Sequence, residues 1–210
     1  MIYGRTWWGK RWLRTLEALG LQYPDSRMAR GRGLVNKDAV DLLHVEPGEL
    51  SAWVDEPRKS FGVSIQMPTF SPAQWKTLEE IMVSRLRNLA ELLDDQLPTN
   101  IDRQLEPAGL ALFPSGDELT VQCPCRDRTR TCVHVIAVVH GFATEFDDDP
   151  FLLAYLRGRD RDEMLSGIRA ARTALAALTV HDGPVPIRSL PPNQFYDGAQ
   201  GLDAVVWATN

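Results

Sequence analysis

The chain has 210 residues, of which 44% are hydrophobic and 24% are charged, and its formal net charge is −5. These values are ordinary for a globular protein with a sizeable core, and the negative charge argues against a uniformly basic nucleic-acid-binding protein. No apolar run approaches the roughly 18 residues that cross a bilayer, and the N-terminal segment lacks the pattern of a signal peptide, so we expect a cytoplasmic protein that makes no membrane contact.

The first third of the chain predicts a helix, a loop and a three-stranded meander. Residues 5–19 have Trp8, Trp12, Leu16 and Leu19 at near-helical spacing, whereas residues 20–33 hold three glycines and a proline and read as a loop. Three runs of alternating residues follow, separated by short Pro-containing turns, at Ala39–Glu46, Leu50–Glu56 and Lys59–Met67. Such runs and turns are typical of an antiparallel sheet.

The rest of the chain reads mostly as helices. Ser71 to Gln74 resembles a capping box that opens a helix to about Gln96, and its apolar residues at steps of three and four predict one buried face: Trp75, Leu78, Met82, Leu86, Leu89 and Leu93. We expect the meander to rest on this helix. The later predictions are a helix over about 99–110, a short strand at Glu118–Gln122, a helix at His134–Phe146, the short helix FLLAYL and a helix from Asp160 to about Leu178. The fold class is therefore α+β.

All three cysteines lie in one stretch of twelve residues, CPCRDRTRTCVH, from 123 to 134. Cys123 and Cys125 can point to the same side of an extended segment, and Pro124 favours that conformation. Cys132 and His134 cannot both face one ion from a regular helix, so we expect Cys132 in the turn before the helix and His134 in its first turn. Thiolate and imidazole ligands in this number predict one structural Zn²⁺ site.

Other uses of these residues fit the pattern less well. A disulfide would leave a third thiol unexplained, and a redox pair is more often spaced Cys-x-x-Cys. A catalytic Cys/His pair needs only one thiol, and an open catalytic zinc site has three protein ligands rather than four. A zinc enzyme therefore remains the weakest alternative.

The spacing Cys-x-Cys-x6-Cys-x-His, followed by an apolar helix, resembles the SWIM-type zinc finger. Three flanking stretches are also similar to bacterial SWIM zinc-finger proteins: TWWGKRWLRTLE near the N-terminus, ARGRG at 29–33 and DPFLLAYLRGRDRDEML after the finger. The resemblance covers most of residues 1–170. It implies a zinc-stabilised module that binds DNA or protein in the bacterial cytoplasm or nucleoid, associated with helicase-like Swi/Snf-type ATPases.

The distribution of charge favours contact with a polyanion at the N-terminal end. Residues 1–37 hold eight Lys/Arg and two acidic residues, a net of +6, so the other 173 residues sum to −11. The candidate nucleic-acid contacts lie in a basic segment and in the zinc loop: Arg27, Arg30, Arg32, Lys37, Arg126, Arg128 and Arg130. The basic segment could alternatively be a solvated loop. The arginines of the zinc loop could instead balance the charge of the metal site.

These observations predict a non-enzymatic zinc-binding interaction module that binds nucleic acid, DNA above all, without sequence preference. A protein–protein adaptor without nucleic-acid affinity is the alternative. We expect four segments: an N-terminal α+β region at 1–110, the zinc finger at 111–147, C-terminal helices at 148–179 and a Pro-containing tail at 180–210.

Overall fold

The structure is a computed structural model, and it describes residues 3–127 and 129–179. The described residues form an α+β fold, as predicted. Its strands are β1 (Val40–Glu46), β2 (Glu49–Glu56), β3 (Lys59–Gln66) and β4 (Thr120–Gln122). Its α-helices are α1 (Trp7–Leu13), α2 (Thr15–Ala18), α3 (Ser26–Val35), α4 (Pro72–Val83), α5 (Leu86–Leu93), α6 (Ile101–Leu105), α7 (Val133–Asp148), α8 (Leu152–Leu156) and α9 (Arg161–Thr179).

The four strands form one antiparallel sheet in the order β1-β2-β3-β4. Two-residue turns join the first three strands, and Gly48, with a φ of +85°, supplies the left-handed conformation that the β1–β2 turn requires. The pairing of β1 with β2 is irregular between Asp41 and His44. The predicted meander is thus confirmed, and β4 extends it by pairing with β3 just before the cysteines.

Helix α7 is the element against which the sheet packs. Its residues Val135 to Val139 are at most 1% exposed, because strands β1 to β3 lie on one side of the helix while α1 and α3 cover others. A helix that is apolar all round must be covered on all sides. The expectation that the meander rests on the helix beginning near Pro72 was therefore wrong: α4 has one apolar face, which packs on α5 and α6.

The long helix predicted from Ser71 to Gln96 is two helices in the structure. The capping box of Ser71 and Gln74 is present, but α4 ends at Val83, and Arg85 adopts an extended conformation before α5 begins. This break rotates α5 relative to the predicted face. Leu86 and Leu93 are consequently 78% and 67% exposed, so their assignment to the buried face was wrong.

The segment predicted as a loop at 20–33 holds most of helix α3, which begins at Ser26. Asp25 caps its N-terminus by accepting a hydrogen bond from the backbone N–H of Arg27. Gly31 faces α7 so closely that a Cβ atom there would overlap the side chain of Ile136. The glycines and the proline of this segment favoured a loop, whereas in the structure Gly31 allows the two helices to approach each other.

The N-terminal helix is anchored on α7 by its tryptophans. The indole N–H of Trp8 donates to the carbonyl of Phe146 at 2.7 Å, and that of Trp12 donates to the carbonyl of Val139 at 3.1 Å. The buried carboxylate of Asp147 accepts hydrogen bonds from the backbone N–H groups of Arg5 and Thr6. The segment just before α1 is thereby held against the end of α7.

The chain divides into a compact unit, Met1–Thr173, and a second unit that begins at Ala174. The predicted four-segment organisation stays a prediction, and the tail at 180–210 lies outside the described residues. Among the described helices, none combines the length and the apolar character that crossing a membrane requires.

Candidate metal centre

The four candidate ligands come from the end of a strand and the start of a helix. Cys123 and Cys125 follow β4, whose pairing with β3 fixes the direction in which the chain leaves the sheet. Cys132 is the N-cap residue of α7 with extended φ and ψ of −77° and 172°, and His134 lies in the first turn. The local conformations of Cys132 and His134 are those predicted from the spacing.

The donor atoms of these residues all lie within 4.8 Å of one another. The Nδ1 atom of His134 is 3.6 Å from the Sγ of Cys123 and 3.9 Å from the Sγ of Cys132. A tetrahedral zinc ion with Zn–S distances of about 2.3 Å and Zn–N distances of about 2.0 Å would place neighbouring donors roughly 3.5 to 3.8 Å apart. The side chains therefore fit around one metal ion with only small adjustments.

The other ring nitrogen of His134 faces a carboxylate from the sheet. Its Nε2 atom is 3.3 Å from Oε1 of Glu56 at the end of β2, and the ring of Phe61 from β3 stacks on the imidazole with centroids 4.1 Å apart. A carboxylate partner fixes the tautomer of a metal-binding histidine and increases its basicity. Together, Glu56 and Phe61 hold the imidazole with Nδ1 directed toward the thiols.

Sequence reasoning missed both of these supporting residues. Glu56 is 78 positions away from His134 along the chain, and nothing in its local pattern distinguishes it from any acidic residue at a strand end. The one general signal is that metal-binding histidines usually have an acceptor on the second nitrogen. That signal predicts a partner without identifying it.

Burial raises the pKa of two of the thiols. Desolvation is the largest cause of the raised pKa of Cys123 and of Cys132, and the neighbouring thiol of Cys125 raises both further. Without a metal these two groups are therefore protonated at neutral pH. Because a metal binds the thiolate, loading the site must release protons, and affinity for the metal falls as the pH is lowered.

Arg27 and Arg130, two of the arginines predicted to contact nucleic acid, are engaged within the protein. Arg27 pairs with Asp25 at 2.6 Å and donates to the carbonyl of Thr131 at 2.9 Å, which ties α3 to the loop before Cys132. Arg130 donates to the carbonyls of Gly116 and Leu119 at 2.7 and 2.5 Å. These side chains hold the ligand loop in place.

The other predicted contacts differ in their surroundings. Arg30 and Arg126 line a groove of about 590 Å³ beside the cysteines, together with Lys59 from the β2–β3 hairpin. Arg32 and Lys37 are exposed in α3 and just after it. Arg128 lies outside the described residues. Of the predicted nucleic-acid contacts, the structure thus places Arg30 and Arg126 together in this groove.

Comparisons with known proteins give one informative relative. The chain is 34% identical over 175 residues to the uncharacterized protein Rv2102 of Mycobacterium tuberculosis. The aligned part covers 82% of this chain and 62% of the relative, so the chain spans less than two thirds of that protein's length. No family model matches the sequence, and no solved structure matches it.

Proposed function

We propose that the protein is a non-enzymatic interaction module, stabilised by one structural Zn²⁺, that binds nucleic acid without sequence preference. The observation that carries the metal assignment is the convergence of three thiols and one imidazole within 4.8 Å. Soft sulfur donors with imidazole in a tetrahedral arrangement suit zinc, and four protein ligands leave no open position for a substrate. A closed site of this kind supports a structural rather than a catalytic role.

The metal would add a direct link between the end of β4 and the start of α7. Cys123 and Cys125 come from the edge of the sheet, and Cys132 and His134 come from the start of the central helix. An ion held by all four side chains would connect the sheet to α7. In the proposed module, zinc therefore stabilises the groove beside it.

Contact with nucleic acid is supported by the cations of that groove. Arg30, Lys59 and Arg126 come from three separate parts of the chain and have no ion pair among the described residues. Glu56 and Asp127 lie in the same groove, so the local charge is mixed and the expected affinity is modest. Phosphate contacts of this type carry no sequence preference.

A protein-binding adaptor is the second candidate, and the outer face of the sheet favours it. Trp53 is 49% exposed and Leu42 is 70% exposed, and both line a broad groove that also includes Cys123 and Pro124. Exposed aromatic and aliphatic side chains in a concave surface are typical of protein-binding sites. A helicase-like ATPase is the partner that the SWIM resemblance suggests for such an adaptor.

The deciding experiment measures metal content and then nucleic-acid affinity. Elemental analysis should find one zinc per chain, and the spectrum of the Co²⁺-substituted protein should show four-coordinate sulfur and nitrogen ligation. Fluorescence anisotropy with single- and double-stranded DNA and RNA at 50 and 200 mM salt should then show binding that weakens steeply with salt. No binding to any of these at 50 mM salt would contradict the nucleic-acid proposal and favour the adaptor.

A further inference from the structure

A second groove, separate from the metal centre, lies between α1 and the segment that leads into α6. It has a volume of about 500 Å³ and is lined by four basic side chains, one acidic side chain and three others: Lys10, Arg11, Arg14, Arg103, Asp102, Trp7, Thr99 and Asn100. Arg103 is more than 85 positions away from the other three basic residues in the chain. Only the fold brings Arg103 to the cations of the N-terminal helix.

The charge of this groove is not balanced. Arg11 pairs with Asp102 at 3.1 Å and lies over the ring of Phe113, so these two opposite charges offset each other. Lys10, Arg14 and Arg103 are exposed, and within the described residues none of them has an ion-pair partner. Three positive charges therefore remain around one concave surface.

Such an arrangement has a cost unless an anion offsets it. Lys10 and Arg14 are four positions apart in a helical stretch, where like charges repel each other, and Arg103 adds a third positive charge. A cleft lined by charges of one sign concentrates the electrostatic potential and attracts counter-ions. The hydroxyl of Thr99 and the amide of Asn100 add neutral hydrogen-bond donors at the same surface.

We propose that this groove binds phosphate groups and that, in the nucleic-acid complex, it holds the phosphodiester backbone. Arginine and lysine are the side chains that pair with phosphate oxygens, and the three cations could contact successive phosphates of one strand. The assignment of these phosphates to a nucleic-acid backbone rests on the proposed function. The groove itself is defined by residues outside the metal centre.

The groove also identifies which cations of the basic N-terminal segment are free to attract a polyanion. Arg5 pairs with Asp148 and Arg11 with Asp102, two acidic residues from outside this segment, so part of the excess positive charge is offset within the fold. Lys10 and Arg14 keep their charge free at the groove. The attraction for a polyanion is thus assigned to a defined surface rather than to the whole segment.

The test uses the full-length, zinc-loaded protein and two triple variants that remove the same charge. The groove variant is Lys10→Gln, Arg14→Gln and Arg103→Gln. The control variant is Lys76→Gln, Arg87→Gln and Arg169→Gln, which changes exposed cations elsewhere. Circular dichroism and thermal unfolding establish that both variants are folded.

Two binding probes are measured on each protein. The first is a fluorescent 20-base-pair DNA duplex titrated between 50 and 200 mM salt. The groove variant should flatten the salt slope by about two to three units, since each phosphate contact contributes about 0.9, whereas the control variant should keep the wild-type slope. The second probe is inorganic phosphate, followed by the NMR shift of the Trp7 indole N–H, which should titrate in the wild type and the control variant but not in the groove variant.

The two probes separate the failure of this inference from that of the proposed function. Equal DNA affinity and equal salt slope in the wild type and the groove variant would overturn the groove while leaving nucleic-acid binding intact. A different result is that the wild type binds no oligonucleotide, while phosphate shifts the Trp7 signal only when the three cations are present. This result would refute nucleic-acid binding and support the groove as a site for free phosphate. The absence of both signals would overturn both proposals.

Discussion

Replacing His140 by leucine should make the stability of the protein less dependent on pH. The imidazole is 3% exposed in α7, and neither ring nitrogen has a hydrogen-bond partner in the described structure. Burial, with a contribution from the charge of Arg32 on α3, lowers the pKa of His140 from 6.5 to about 4. The ring of Tyr3 packs against it at 5.1 Å and offers no compensating negative charge.

The sign of the effect follows from proton uptake. The unfolded chain binds a proton at this histidine below about pH 6.5, whereas the native protein binds it only near pH 4, so the free energy of unfolding decreases as the pH falls between these values. A difference of about 2.5 pKa units corresponds to a loss of roughly 2.5 kcal/mol between pH 7.5 and pH 4.5. Above pH 7 the histidine should have no such effect.

Urea denaturation followed by tryptophan fluorescence at several pH values from 7.5 to 4.5 measures this loss. Acid also protonates the metal ligands, so the informative quantity is the difference between wild type and His140→Leu, which share the same metal centre. A His44→Gln variant is the matched control, because the side chain of His44 is 69% exposed. A difference between wild type and His140→Leu that stays constant within about 0.5 kcal/mol over the whole range would refute the reasoning.

Three further predictions concern the metal centre and the helices. The Cys132→Ala variant should lose zinc, as measured by elemental analysis, and should show faster hydrogen exchange in the ligand loop and at the start of α7. Retention of one zinc per chain would show that the cluster is not the site. The Glu56→Gln variant should bind zinc about 10- to 100-fold more weakly in a competition titration with a chelator, because the imidazole of His134 loses its anionic partner. Unchanged affinity would show that Glu56 does not contribute to metal binding. Leu92→Ala should cost about 2–5 kcal/mol in urea denaturation, and Leu86→Ala less than about 0.5 kcal/mol, since these side chains are 1% and 78% exposed; equal costs would contradict the break between α4 and α5.

The sequence alone determined the features that depend on neighbouring residues. The strands of the meander were predicted because alternation and short Pro-containing turns are local patterns. The capping box at Ser71 was found for the same reason, and it is present in the structure. The four candidate ligands could be named, and the conformations of Cys132 and His134 predicted, because all of them lie within twelve positions.

Tertiary structure decided which elements cover one another and which distant side chains meet. The periodicity of residues 71–96 could not reveal the extended conformation of Arg85, since a break changes the phase of a helix without changing its composition. Gly31 was assigned to a loop because the close approach of α3 to α7 is visible only once both helices are placed. Glu56 contacts His134, and Arg103 lines the same groove as Lys10, across distances in the chain that no local pattern encodes. The metal ligands are local, whereas the residues that support them and the cations of the second groove are assembled by packing around α7 and α6.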